Sequence, residues 1–447
     1  VADRDERTID VEHVALTGEG VARVDGVDVH VPGLFGGELA RVRIVHRSRH
    51  HARAAGELVA LERAHPARRA APCARHDARE GRCGGCPLME LGDEAQREQK
   101  RSMLAALGLG VDHVVHVGPS LGYRFSSKRV VFERRGALAL GSWARGTHDG
   151  ADMHGCLVDH PRLTEAADEL AREARALGLR AFDEASGEGD LRYVWLKTDG
   201  ERVLLTLVTA GEESAAAARL PERLRLPAGI AWSVQLARGN AIRGSAPRVL
   251  HGVGTLSLRL AGVTLEVGPL GFLQPNPTVI ERAYHELVTL PSGAPATGAL
   301  ALDLYAGAGI TTALLRQSFA RVVPCESYPE SARALGVEPC TAEALLEATR
   351  ERPELVVANP PRKGLGPIVC DALLRLGPDR IHVMSCGPEG LARDLARLEA
   401  GGYRRVSLTA YDALPQTPHV ELVARLERAP RTSEKPGSQA RSSGEGL

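Results

Sequence analysis

Two sets of residues in this chain have the types and spacing to do chemistry. The first is Cys73-x9-Cys83-Gly-Gly-Cys86, with Cys156 further on. Four soft ligands suit a metal, and the paired glycines permit the tight turn that a chelating Cys-x2-Cys needs. Structural zinc usually pairs one such knuckle with a second, which is absent. One close pair with two distant cysteines suits an iron-sulfur cluster better, with zinc (His76 or His154 replacing a thiol) and free thiols as alternatives. The second set comprises the run Asp303-Leu-Tyr305-Ala-Gly307-Ala-Gly309, then Glu326, then Asn359-Pro-Pro-Arg-Lys-Gly364, then Cys386.

In the second set, Gly307 and Gly309 let a ligand approach the backbone closely. Thr312 stands where a dinucleotide fingerprint has its third glycine, which favours a cofactor without a pyrophosphate, such as S-adenosylmethionine. Glu326 falls where a carboxylate can accept hydrogen bonds from ribose hydroxyls. The prolines after Asn359 rigidify a strand end and aim a polar side chain inward beside the cofactor. Cys386 lies between an apolar strand and a helix starting near Pro388, so the helix dipole is expected to favour its thiolate and make it a nucleophile.

These residues need elements to hold them. Residues 8 to 62 alternate in short strands broken by glycines, which predicts a five-stranded barrel. Within 39 to 70, eight arginines, Arg41, Arg43 and Arg47 among them, face only Glu57 and Glu62, an RNA-contacting patch or a solvated face. Residues 94 to 107 and 163 to 177 read as amphipathic helices, and 191 to 197 with 202 to 208 as a hairpin turned at Asp199-Gly200. A second hairpin is expected over 256 to 267, giving the middle an antiparallel sheet. After Pro291, short apolar strands alternate with helices, the rhythm of a doubly wound, mostly parallel sheet whose ligands sit at the carboxyl ends of its strands. The expected division is an OB-like barrel over 1–62, a central α+β domain with the cluster over 63–290, the catalytic sheet over 291–428, and a disordered tail over 429–447.

Composition narrows the field. Lys plus Arg and Asp plus Glu both number 56, so no global basic field drives nucleic-acid binding and any RNA surface is local. There is no apolar run of membrane-spanning length and the N-terminus is charged, so a cytoplasmic protein is expected, with no membrane partner. A monomer is expected as well.

Taken together, these residues resemble the RNA uracil-C5 methyltransferases, in particular the members with a TRAM domain and an iron-sulfur cluster that act on 23S ribosomal RNA. The likeness runs from about residue 8 to residue 427. It rests on GEGVARVDGVDVHVPGLFGGELARVRI, CGGC, GFLQPNP, DLYAGAG, ANPPRKGL, SCGPEGLARDL and LPQTPHVELVARLER. The resemblance implies a class I methyltransferase sheet and a 4Fe–4S cluster on Cys73, Cys83, Cys86 and Cys156. Cys386 would be the nucleophile and Glu421 the general base, with Gln274, Asp303, Tyr305, Gly307, Gly309, Glu326 and Asn359 around S-adenosylmethionine. Phe272 would stack on a flipped base, and ribosomal or transfer RNA would be the partner. Asn359 stands where the family usually has Asp, which keeps cytosine-C5 methylation open, and an RNA-binding module without catalysis is the alternative of another class. Gly387 replaces the family's usual Asn beside the nucleophile.

Overall fold

The computed structural model describes residues 5–76, 83–144, 147, 149–237 and 243–429. Most of the spacer between Cys73 and Cys83, and the tail from 430 on, lie outside the described residues.

The N-terminal region forms six strands rather than five: Glu6–Asp10, His13–Val14, Glu19–Val24, Val27–Pro32, Leu39–Arg47 and Arg53–Arg63. In chain order they stand in the sheet as first, fifth, sixth, fourth, third, second. The expected single strand over TIDVEHVAL splits because the backbone at Val11 bonds to Gly37 and Glu38 instead of continuing its ladder. Alternate residues Val29, Val31, Ala40 and Val42 face one core with Ile9 and Leu34.

The middle sheet has seven strands, and the Leu191–Thr198 and Val203–Thr209 hairpin lies at its centre. Its pairing is antiparallel except between Val203–Thr209 and Gly229–Val234, which run parallel. Helix Pro161–Ala176 covers it with Leu163, Ala166, Leu170 and Ala174. The hairpin Leu256–Leu260 and Val263–Val267 stands apart, turned by Ala261 and Gly262, both at positive φ.

The C-terminal sheet orders Phe319–Cys325, Gly298–Leu304, Leu355–Ala358, Arg380–Ser385, Glu421–Arg428, Tyr403–Tyr411 and Val114–Val115. The first four are mutually parallel and Glu421–Arg428 enters antiparallel. Helices cover both faces, so Leu355, Val356, Val357 and Ala358 are all fully buried. Each of the larger three contributes roughly 1.5–3 kcal/mol of burial. The seventh strand comes from far upstream: Val114–Val115 adds to the edge beside Tyr403–Tyr411. Among the described residues no helix is long and apolar enough to cross a membrane.

Candidate active site

Asp303, Asn359 and Cys386 all sit at carboxyl ends of parallel strands, on one edge of the sheet. Asp303 is buried, and its Oδ2 accepts the hydroxyls of Thr311 (2.7 Å) and Thr312 (2.6 Å). Thr312, the residue in place of a third glycine, is therefore a partner of the strand-end carboxylate. Burial pushes Asp303 up to about 6, with the two threonines working against it. The loop between them needs left-handed backbone at Tyr305 (φ 59°), Gly307 (56°) and Gly309 (82°). A Cβ on Gly309 would stand 2.5 Å from the end of the Leu335 side chain, which would have to move, so the left-handed φ is the main reason for glycine there. Glu326 binds this loop directly: Oε2 accepts Gly307 N–H at 2.9 Å and Oε1 accepts Tyr328 N–H at 2.7 Å. Each oxygen keeps a second lone pair for a ligand hydroxyl.

Gln274 hydrogen-bonds the buried Tyr284, whose hydroxyl is pushed up to about 12 by burial, with Gln274 lowering it and the charges of Glu421 and Asp303 raising it. Tyr284 thus lies within electrostatic reach of both Asp303 and Glu421, a place its sequence neighbourhood did not reveal. Asn276 caps helix Pro277–Leu287 through Oδ1, and its buried Nδ2 has no partner among the described residues.

Cys386 and Glu421 are brought together by strand register. Ser385 pairs with Leu422, so the residue after one strand and the first residue of its antiparallel neighbour lie side by side. Cys386 is exposed at the sheet edge, whereas Glu421 is buried. Burial pushes Glu421 up to about 8, opposed by the Arg362 charge. The Cys386 thiol is also raised, first by burial and then by Glu421, with Arg362 lowering it through charge and a hydrogen bond. Burial and the Glu421 carboxylate thus act against the thiolate that the helix start and Arg362 favour.

Arg362 and the thiol meet because two loops pack backbone against backbone. Asp394 accepts Leu365 N–H (2.6 Å) and Gly366 N–H (3.1 Å), tying the Pro-Pro-Arg-Lys loop to helix Pro388–Ala400. A Cβ on Gly387 would stand 2.0 Å from the Arg362 carbonyl oxygen. Gly387→Ala is therefore expected to destabilise the protein by roughly 1–3 kcal/mol and to slow catalysis at least tenfold by displacing Arg362. Thermal unfolding and turnover measured together check this; an alanine variant with wild-type activity would show that the loops separate freely. The cavity outside Cys386 is lined by Arg362, Lys363, Arg393 and His419, with Leu16 from the N-terminal sheet.

Cys73, Cys83, Cys86 and Cys156 line one cavity with Arg124, Met89 and His76. Among the described residues no three His, Cys, Asp or Glu side chains are gathered as a single metal ion requires. A multi-iron cluster spreads its thiolates more widely than one ion does, and the four-thiol donor set suits it chemically. Burial raises the Cys86 and Cys156 thiols.

The arginine patch looks different in space than along the chain. Arg41 and Arg43 pair with Glu6, and Arg47 with Asp5. Arg53, Arg63, Arg68 and Arg69 also have carboxylate partners, so of the eight only Arg49 has none among the described residues. The acids were missed because all of them lie outside the 39–70 window and reach it through tertiary contacts. Phe272 is 63% exposed, which removes a core-packing role.

The doubly wound sheet with its glycine loop and ligand-facing strand ends defines a class I methyltransferase fold. The chain has the fold of the Pyrococcus abyssi tRNA (uracil-54, C5)-methyltransferase solved with S-adenosyl-L-homocysteine, with a TM-score of 0.72 at 24% identity, covering 94% of this chain and 100% of that one. No family model matches the chain. It is 30% identical over 450 residues to an uncharacterized RNA methyltransferase of Halalkalibacterium halodurans, covering 94% of this chain and 96% of the relative. It is 32% identical over 454 residues to another from Gloeobacter violaceus, with the same coverage. The chain belongs to this family of RNA methyltransferases.

Proposed function

We propose that the protein methylates C5 of a uridine in ribosomal RNA through covalent addition of Cys386. The juxtaposition of Cys386, Glu421 and Arg362 carries this reading. Asp303, Glu326, the Tyr305–Gly309 loop, Gln274 and Asn359 fit S-adenosylmethionine, and the unpartnered Asn276 Nδ2 leaves a buried donor for a ligand. When bound, S-adenosylmethionine supplies the methyl group taken by C5 and leaves as S-adenosylhomocysteine.

The chain's own residues make C5 reactive. Uracil C5 is too weak a nucleophile alone, so the Cys386 thiolate adds to C6, forming the Sγ–C6 bond and leaving C5 enolate-like. Arg362 favours that thiolate, and a protonated Glu421 does not oppose it. After methylation, Glu421 in its base form takes the C5 proton; the C5–H electrons restore C5=C6 and the Sγ–C6 bond breaks. Phe272 offers an exposed ring for a base extruded from the RNA stack. The four clustered cysteines would hold a 4Fe–4S cluster, which joins the loops at 73–86 and 156 and leaves the chemistry to the sheet edge. Arg41, Arg43 and Arg47 would contact RNA phosphates by exchanging their partly buried carboxylate partners Glu6 and Asp5.

The test is RNA labelled with tritium at uridine C5, incubated with protein and S-adenosylmethionine, with counting of tritium released to water. Ribosomal and transfer RNA form separate arms. Cytidine-labelled RNA tests the reading that Asn359, whose amide offers both donor and acceptor, admits cytosine. Release from neither nucleotide in competent RNA overturns the proposal.

A pH profile follows from Glu421. Its folded value of about 8 means the base form is scarce at pH 7 and half populated at pH 8. The raised Cys386 thiol titrates in the same direction. Turnover should rise at least about fivefold from pH 7 to 8, from the Glu421 base form alone, and continue to rise above pH 8 as the raised Cys386 thiol ionises. A flat profile across this range would show that proton removal by Glu421 does not limit turnover.

A further inference from the structure

We infer that Gln96 and Gln416 are positioning residues that hold Glu421 in place for the elimination step. The inference rests on the uridine-C5 reading above. Among the described residues nothing hydrogen-bonds the Glu421 carboxyl, so its place comes from the backbone that carries it. That backbone is the end of a hairpin: Tyr411 pairs with Glu421, and residues 412–420 close the loop between them.

The loop is held from outside by helix Asp93–Ala106, which follows shortly after Cys86. Gln96 Nε2 donates to Gln416 Oε1 at 2.8 Å, and Gln416 N–H donates to Gln96 Oε1 at 2.8 Å. The reciprocal pair is buried, and Gln416 Nε2 also reaches Ser120 O. One helical turn on, buried Lys100 donates to Asp412, to Leu414 O (3.2 Å) and to His419 O (3.0 Å), so it ties both limbs of the loop. Leu88 N–H donates to Gln416 O, and the Tyr123 hydroxyl to Pro415 O. Leu414 packs against the cluster of Met89, Tyr123 and Val158, against which Cys86 and Cys156 also pack, so the loop shares a small core with the cysteine cavity.

At the centre of these bonds Gln416 adopts left-handed backbone (φ 70°), a conformation uncommon for a residue with a side chain. Strain of this kind persists where surrounding contacts over-determine it. A loop needing only to close could place glycine there, as many turns of this chain do. A glutamine instead fixes the backbone through its partner Gln96, 320 residues away.

The test is a single-turnover reaction of Gln96→Ala and Gln416→Gly on C5-tritiated RNA. The glycine variant relieves the backbone strain and removes the Gln96 Nε2–Gln416 Oε1 bond while keeping the Gln416 N–H bond to Gln96, whereas Gln96→Ala removes both bonds and leaves the strain. Three quantities are read: tritium release, SDS-stable protein–RNA adduct, and KM for RNA. Both variants should release tritium about tenfold more slowly and accumulate adduct at least fivefold above wild type, with KM changed less than twofold. That signature reports methylation without elimination, which general destabilisation does not produce. Unchanged release in both variants, or slower release without added adduct, overturns the inference while wild-type release upholds the uridine reading. A wild-type protein that releases no tritium overturns that reading and this inference with it.

Discussion

Cys386→Ala is expected to bring tritium release from C5-labelled uridine to background, a loss on the order of 10⁴-fold or more. The thiolate converts an unreactive C5 into a nucleophile, and alanine leaves no atom able to add to C6. The SDS-stable adduct should vanish at the same time. RNA affinity should change little, because one exposed thiol adds little contact area. Cys325 and Cys370 are poor substitutes. Burial, reinforced by Cys340, pushes Cys325 up to about 12. Burial and Asp394 do the same for Cys370, whose thiol is bonded to that carboxylate. Residual release above about one part in a hundred of wild type would require a nucleophile other than Cys386, because background chemistry lies far below that level. Unchanged RNA modification in the variant would favour a protein that binds RNA without catalysing its methylation.

How far such a site can be read from sequence depends on whether its parts are local. The strand–helix alternation after Pro291 is local, and it yielded the methyltransferase sheet and the place of Cys386 at a strand end. The state of the Cys386 thiol is not local: it depends on Glu421, a neighbour only by antiparallel register, and on Arg362, brought in by the close approach of Gly387. The same limit explains the arginine patch, where counting along 39–70 missed Asp5, Glu6 and Asp10 across the sheet. Val114–Val115 joins the C-terminal sheet with two residues, too few to show a period. Tyr284 stands in no motif of the sequence, and only the fold sets its hydroxyl beside Gln274. Gln416 lies in the LPQTPHVELVARLER run and Gln96 in a helix near the cysteines, and nothing in either stretch names the other as its partner. Their pairing is a property of the folded chain.

Glu421→Gln is expected to separate methyl transfer from product release. Because burial holds Glu421 largely protonated at pH 7, the isosteric neutral amide resembles the resting carboxyl and should leave the fold intact. Addition by Cys386 and methylation of C5 need no base at that position, so the variant should complete them once. It then has no group to take the C5 proton, so the Sγ–C6 bond persists and adduct builds toward one per protein. Tritium release should fall on the order of 10³-fold, within the range that general-base removal costs. Stability gives an independent check with a definite sign. The folded carboxyl titrates near 8 against an ordinary value of 4.5, so folding favours its protonated form. That contribution is complete below pH 4.5, declines as pH rises from 4.5, and is gone above 8. Glutamine has no proton to lose. The variant's stability relative to wild type should therefore increase from pH 5 to pH 9, read as the difference in denaturant midpoints. A constant difference would mean that the carboxyl titrates normally, and the base would then have to draw its reactivity from the bound RNA instead of from its burial in the free protein.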